Sequence, residues 1–110
     1  MNSKNVTDDL RILDCSYPCS GSSSILLTSE DNAKKFTDEP IWISGIGQKT
    51  NSASFTKNEL TTFSSSVIAA NDAYKMAKTT PQEIDISEIH DAFSVCELMA
   101  VEDLLSLIHI

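Results

Sequence analysis

With 110 residues, 41% of them hydrophobic and 22% charged, the chain has room for one domain and a small core. Sixteen acidic side chains against eight basic ones leave a net charge of −8, which opposes binding to nucleic-acid backbones and to anionic membrane surfaces. No apolar run is long enough to span a bilayer, and residues 1–9 lack the basic-then-apolar build of a secretion signal, so a cytoplasmic, reducing setting is expected.

Residues 1–9 carry no periodicity and read as a lead-in from something upstream. Arg11, Ile12 and Leu13 form a short apolar-containing segment, and Asp14-Cys15-Ser16-Tyr17-Pro18-Cys19-Ser20-Gly21 is a loop by its Pro, Gly and Ser content. Residues 22–28 predict a buried strand, because small serines followed by Ile25, Leu26 and Leu27 suit close packing. Ser29 is a helix N-cap candidate, with Glu30 and Asp31 placing negative charge at the positive end of the helix dipole. That helix closes before Pro40.

Residues 41–47, Ile-Trp-Ile-Ser-Gly-Ile-Gly, predict a second strand, in which Gly45 and Gly47 permit a close backbone approach or a bend. Residues 48–59 are a polar Ser, Thr and Asn loop, long enough to be either functional or mobile. Phe63, Val67, Ala70, Tyr74 and Ala77 recur at intervals of four, three, four and three, which aligns them on the packing face of a long helix. Thr80-Pro81-Gln82-Glu83 has the form of a capping box with proline at the first helical position, so one helical turn precedes the next element.

Residues 84–93, Ile-Asp-Ile-Ser-Glu-Ile-His-Asp-Ala-Phe, predict a third strand running into a helix whose inner face holds Ala92, Val95, Cys96, Met99 and Leu104. His90 then sits at the carboxyl end of a strand, where ligand crevices form in open α/β sheets, although a histidine there also serves structurally. Strand and helix alternate three times, which predicts an α/β fold, a βαβαβα piece of a parallel or mixed sheet covered by helices. Three such apolar strands leave an edge unpaired, so part of the sheet is expected to come from elsewhere. Cys15, Cys19 and Cys96 match no zinc or redox spacing, and Cys96 reads as a small buried residue.

Two stretches resemble the thiolases, in particular their archaeal-type and sterol-carrier-like branch. Glu88-Ile89-His90-Asp91-Ala92-Phe93 is similar to the family's Glu-x-Asn/His-Glu/Asp-Ala-Phe motif, and residues 13–29 are similar to its Ser-x-x-x-Asp-Gly-Ala-Ala-Ala segment. Between them, Ala73-Tyr74-Lys75-Met76-Ala77 and the Pro81 to Asp85 connection are similar to archaeal-type members. Ser20 stands where the family has aspartate, and Ser22, Ser23 and Ser24 where it has alanines.

The resemblance implies a partial thiolase-like fold, with residues 1–104 a partial carboxyl-terminal domain. It implies Claisen-type acyl transfer on acyl-CoA thioesters, by condensation or thiolysis, with coenzyme A as substrate and no permanently bound cofactor or metal. It makes His90 an oxyanion stabiliser, and places Ser16, Ala92 and Phe93 along the tunnel for the pantetheine arm. The nucleophilic cysteine, the Gly-His segment and the late Cys-x-Gly segment of the family are not in this sequence, so the chain alone is expected to be inactive. Homo-oligomerisation and a partner protein subunit are further expectations for the parent. The alternatives are another condensing enzyme, such as a ketoacyl synthase, and a non-catalytic scaffold of the same fold. Residues 105–110, Leu-Ser-Leu-Ile-His-Ile, match one translated frame of a common transposon-based sequencing adapter and are expected to be a non-native tail.

Overall fold

The computed structural model describes residues 3–105, in which three α-helices are joined by long irregular segments: α1 (Glu30–Ala33), α2 (Ser64–Ala77) and α3 (Ser94–Leu105). Three single 3-10 turns, Ile12–Asp14, Phe55–Lys57 and Pro81–Glu83, punctuate the rest. No helix among them is long and apolar enough to cross a membrane.

The helices arise where local chemistry dictates them. Ser29, extended at φ −73° and ψ 158°, is the N-cap residue of α1: its carbonyl accepts from Asn32 and Ala33 N–H at 3.0 Å, while its hydroxyl accepts from the Asn32 side-chain amide at 3.0 Å and from no backbone N–H of the helix. In α2 the expected stripe of Val67, Ala70, Tyr74 and Ala77 is half-buried. This helix stops in a Schellman motif: Lys78 is left-handed at φ 56°, Thr79 N–H donates to the Tyr74 carbonyl at 3.1 Å, and Lys78 N–H to the Lys75 carbonyl at 3.4 Å. The capping-box turn also forms. Thr80 N–H and Oγ1 donate to the Glu83 carboxylate at 2.8 and 2.9 Å, and these bonds, the backbone one first, hold the Glu83 pKa below its ordinary value of 4.5.

Helices α2 and α3 pack together and are stitched at their ends. Asp103, in the last turn of α3, accepts from Phe63 N–H at 2.5 Å and from Thr62 Oγ1 at 2.8 Å, so one carboxylate caps the amino terminus of α2. In return Tyr74 Oη of α2 donates to the Leu104 carbonyl at 2.8 Å, one of the acceptors left without a partner at the end of α3.

The two glycines of segment 41–47 lie against α2. A side chain on Gly45 would run into the Ala73 carbonyl and meet Ala77 Cβ at 3.1 Å, and one on Gly47 would run into the Ala69 carbonyl. Two residues of extended chain advance about 6.6 Å and four residues of helix about 6 Å, so Gly45 and Gly47 keep step with Ala73 and Ala69. Since the glycine numbers rise as the alanine numbers fall, the segment runs antiparallel to α2.

The expected mixed sheet is not formed among the described residues. Segments 22–28, 41–47 and 84–91 carry no ladder, and the only pairings are isolated antiparallel bridges, Asn5 with Arg11 and Cys15 with Phe93. A strand takes half its definition from a neighbour, and these segments meet helices or solvent instead. Ile25 is 84% exposed, Ile41 96% and Ile86 83%, while Ala33 and Ala100 are the buried hydrophobic residues among those described. Val95, expected on the inner face of α3, is half exposed, whereas Cys96, Met99 and Leu104 are half-buried. The accessible surface is 9962 Å², against roughly 6,000 Å² for a compact chain of this length. The radius of gyration is 17.8 Å, where about 13 Å is usual. The expected non-native tail lies, from Ser106 onward, outside the described residues.

Two substitutions test this packing. Asp103→Ala removes a charged acceptor from two donors and is expected to cost about 2 kcal/mol, with Asp103→Asn losing about half as much; the readout is thermal loss of the helical circular-dichroism signal. Gly47→Ala forces a methyl into the α2 backbone and is expected to cost about 1–3 kcal/mol. Gly21→Ala, which meets nothing within 4 Å, is the control and should melt as the wild type does.

Candidate functional site

Three of the four expected site residues come together. Cys15 forms an antiparallel bridge with Phe93, and Ser16 N–H donates to the Ala92 carbonyl at 3.0 Å. The loop after Leu13 is thereby fastened to the stretch that enters α3, although the two are far apart in sequence. Ala92 is half-buried, Phe93 is 42% exposed, and the Ser16 side chain is exposed.

The approach to this junction is built by a tight turn. Arg11 N–H donates to Asp14 Oδ2 at 2.9 Å, Asp14 N–H to the Arg11 carbonyl at 3.0 Å, and Cys15 N–H to the Ile12 carbonyl at 3.2 Å. The Cys15 thiol adds a bond to the Arg11 carbonyl at 3.3 Å. Upstream, Ile12 N–H donates to the Lys4 carbonyl at 3.0 Å, so the turn leaves a small hairpin-like loop and delivers Cys15 and Ser16 to residues 92 and 93.

His90 is exposed, two residues before Ala92. A cleft of about 460 Å³ lies between α2, the end of α3 and the 84–89 stretch, and is lined by Gly47, Tyr74, Ser87, Glu88 and Ile89 among others. Neither this cleft nor two others, of about 500 and 380 Å³, is lined by His90, Ser16, Ala92 or Phe93. Among the described residues no group of three or more His, Cys, Asp and Glu side chains is placed to hold a metal ion, and all three cysteines are free thiols.

Sequence reasoning did not single out Asp103 or Ser87, and it placed Glu88 in a motif without assigning it to a cleft. For Asp103 a signal existed: an acidic residue in the last turn of a helix, with no basic residue beside it, opposes its own helix dipole and so points to a partner elsewhere. For Ser87 no comparable signal exists, because its place on the cleft depends on how the 84–89 stretch lies against α2.

Comparison with known proteins bears on the same residues. The family model for the thiolase C-terminal domain-like group matches residues 47–107. The acetyl-CoA acetyltransferase of Methanothermobacter thermautotrophicus is 41% identical over 105 residues, covering 94% of this chain and 27% of that protein. The acetyl-CoA acetyltransferase of Methanocaldococcus jannaschii is 31% identical over 107 residues, with 94% and 27% covered. Human sterol carrier protein 2 is 32% identical over 110 residues, covering 94% of this chain and 20% of that protein. The chain thus spans about a quarter of the length of the archaeal relatives that it matches.

Proposed function

As the chain belongs to the thiolase C-terminal domain-like family, we propose that it is one part of a thiolase-type acyltransferase, a partial carboxyl-terminal domain over residues 1–104 that contributes one wall of an acyl-CoA site. The parent acts on acyl-CoA thioesters by Claisen condensation or thiolysis, with coenzyme A as substrate and no permanent cofactor. Its sheet is a mixed one, completed by strands outside this sequence that pair with 22–28, 41–47 and 84–89. It works as a homo-oligomer, and a partner subunit is compatible with its acidic surface.

The observation that carries this reading is the junction of Ser16 with Ala92 and of Cys15 with Phe93. The two stretches with thiolase wording meet, as two walls of one tunnel must. His90 lies beside them in sequence, and its imidazole N–H would donate, directly or through a held water, to the thioester oxygen as that atom gains enolate charge. A neutral donor stabilises the charge without adding a net charge of its own. Ser16, Ala92 and Phe93 flank the pantetheine arm and set the depth at which the thioester stops. The cysteine nucleophile and its acid/base partners belong to other parts of the parent, which leaves the 110-residue chain without turnover.

One observation favours the scaffold alternative: His90 is exposed and borders none of the three clefts. The full-length parent decides between them. It is expected to cleave acetoacetyl-CoA with free coenzyme A, and His90→Ala in it should lower kcat about a hundredfold, roughly the loss of one oxyanion donor, with an unchanged melting temperature. The isolated chain should show no activity in the same assay. A parent with no turnover, or a His90→Ala parent as fast as the wild type, would remove the catalytic reading of this residue.

A further inference from the structure

Resting on the acyltransferase reading, we infer that Asp14 is a positioning residue for the acyl-CoA site. Beside the backbone bonds and the thiol bond of the 11–15 turn, the Asp14 carboxylate accepts from Arg11 N–H at 2.9 Å. That bond fixes where the chain leaves the turn, and the next two residues are the ones that engage the other stretch: Cys15 across from Phe93, and Ser16 N–H on the Ala92 carbonyl at 3.0 Å. Asp14 is half-buried as a residue, and its carboxylate bonds back into its own turn.

Removing the Asp14 acceptor weakens the turn, which then rests on its two backbone bonds and the Cys15 thiol bond, and so loosens the placement of Ser16, whose own N–H bond to the Ala92 carbonyl remains. The tunnel walls shift relative to His90, and a displacement of about 1 Å at a reacting group is enough to cost on the order of a hundredfold in rate. Asp14 does this without touching substrate. What it requires is an acceptor atom at that position, with no need for a negative charge, so asparagine should serve nearly as well.

The test uses the full-length parent with acetoacetyl-CoA and coenzyme A. Asp14→Ala is expected to lower kcat/KM at least tenfold, with an altered KM for coenzyme A and a melting temperature close to that of the wild type. Asp14→Asn is expected to restore kcat/KM to within about threefold, because its carbonyl oxygen accepts the same bond. Equal activity of Asp14→Ala and wild type overturns the inference, and so does an Asp14→Asn enzyme as impaired as Asp14→Ala. Should Asp14→Ala not fold, Asp14→Ser carries the test: its hydroxyl is a shorter acceptor, so intermediate activity supports the role and wild-type activity overturns it. An inactive wild-type parent would instead be a failure of the acyltransferase reading, which the wild-type control separates from this one.

Discussion

The Asp103 carboxylate at the end of α3 holds together two helices, each of which carries an electrostatic fault of its own. Helix α2 begins at Phe63, which has no capping side chain, and has no acidic residue in its first turn. Helix α3 ends in Glu102 and Asp103 with no basic residue nearby, so negative charge faces a negative dipole end. Crossing the end of one over the start of the other cures both faults, because Asp103 supplies the missing acceptor at Phe63 and is itself placed at a positive terminus. The Tyr74 bond to Leu104 completes the exchange. The cleft beside residues 84–89 shares Tyr74 and Leu104 with this stitch, so its shape depends on the bond between them.

What could be read from the sequence was what short-range chemistry decides. The α2 stripe, the cap at Ser29, the Thr80 to Glu83 turn and the close approach at Gly45 and Gly47 each depend on residues within a turn or two of one another, or on the absence of a side chain. The strands were not decided in this way. Residues 22–28 and 41–47 have the composition of covered strands, yet a ladder needs donors and acceptors from another segment, and none of the described residues supplies them. Asp103 was missed because its partner is some forty residues away in sequence. At the site, the grouping of Ser16 with Ala92 and Phe93 was legible through the two motifs, whereas the exposure of His90 was not, since exposure depends on what covers it.

Leu26, Leu27, Phe36, Ile41, Trp42 and Ile43 show how unusual this surface is. All are well exposed, and they gather around one open cleft of about 500 Å³. Isolated exposed apolar residues are ordinary, but a contiguous group of this kind is a face that wants covering. Burying an isoleucine or leucine fully is worth about 1.5–3 kcal/mol, so a surface of this composition pulls strongly towards any matching one.

The same reasoning bears on the chemistry proposed for His90. A hydrogen-bond donor aimed at a developing oxyanion is powerful only where water is excluded, because at 4 Å two unit charges interact by about 1 kcal/mol in bulk water and by about 4 kcal/mol near a protein surface. Around an imidazole as exposed as that of His90, water competes for the N–H and screens its dipole. Covering the exposed apolar residues of 22–28 and 41–47 and shielding His90 from water both require a surface that the described residues do not supply. What is fixed in this chain without any such cover is the backbone junction of residues 15–16 with 92–93.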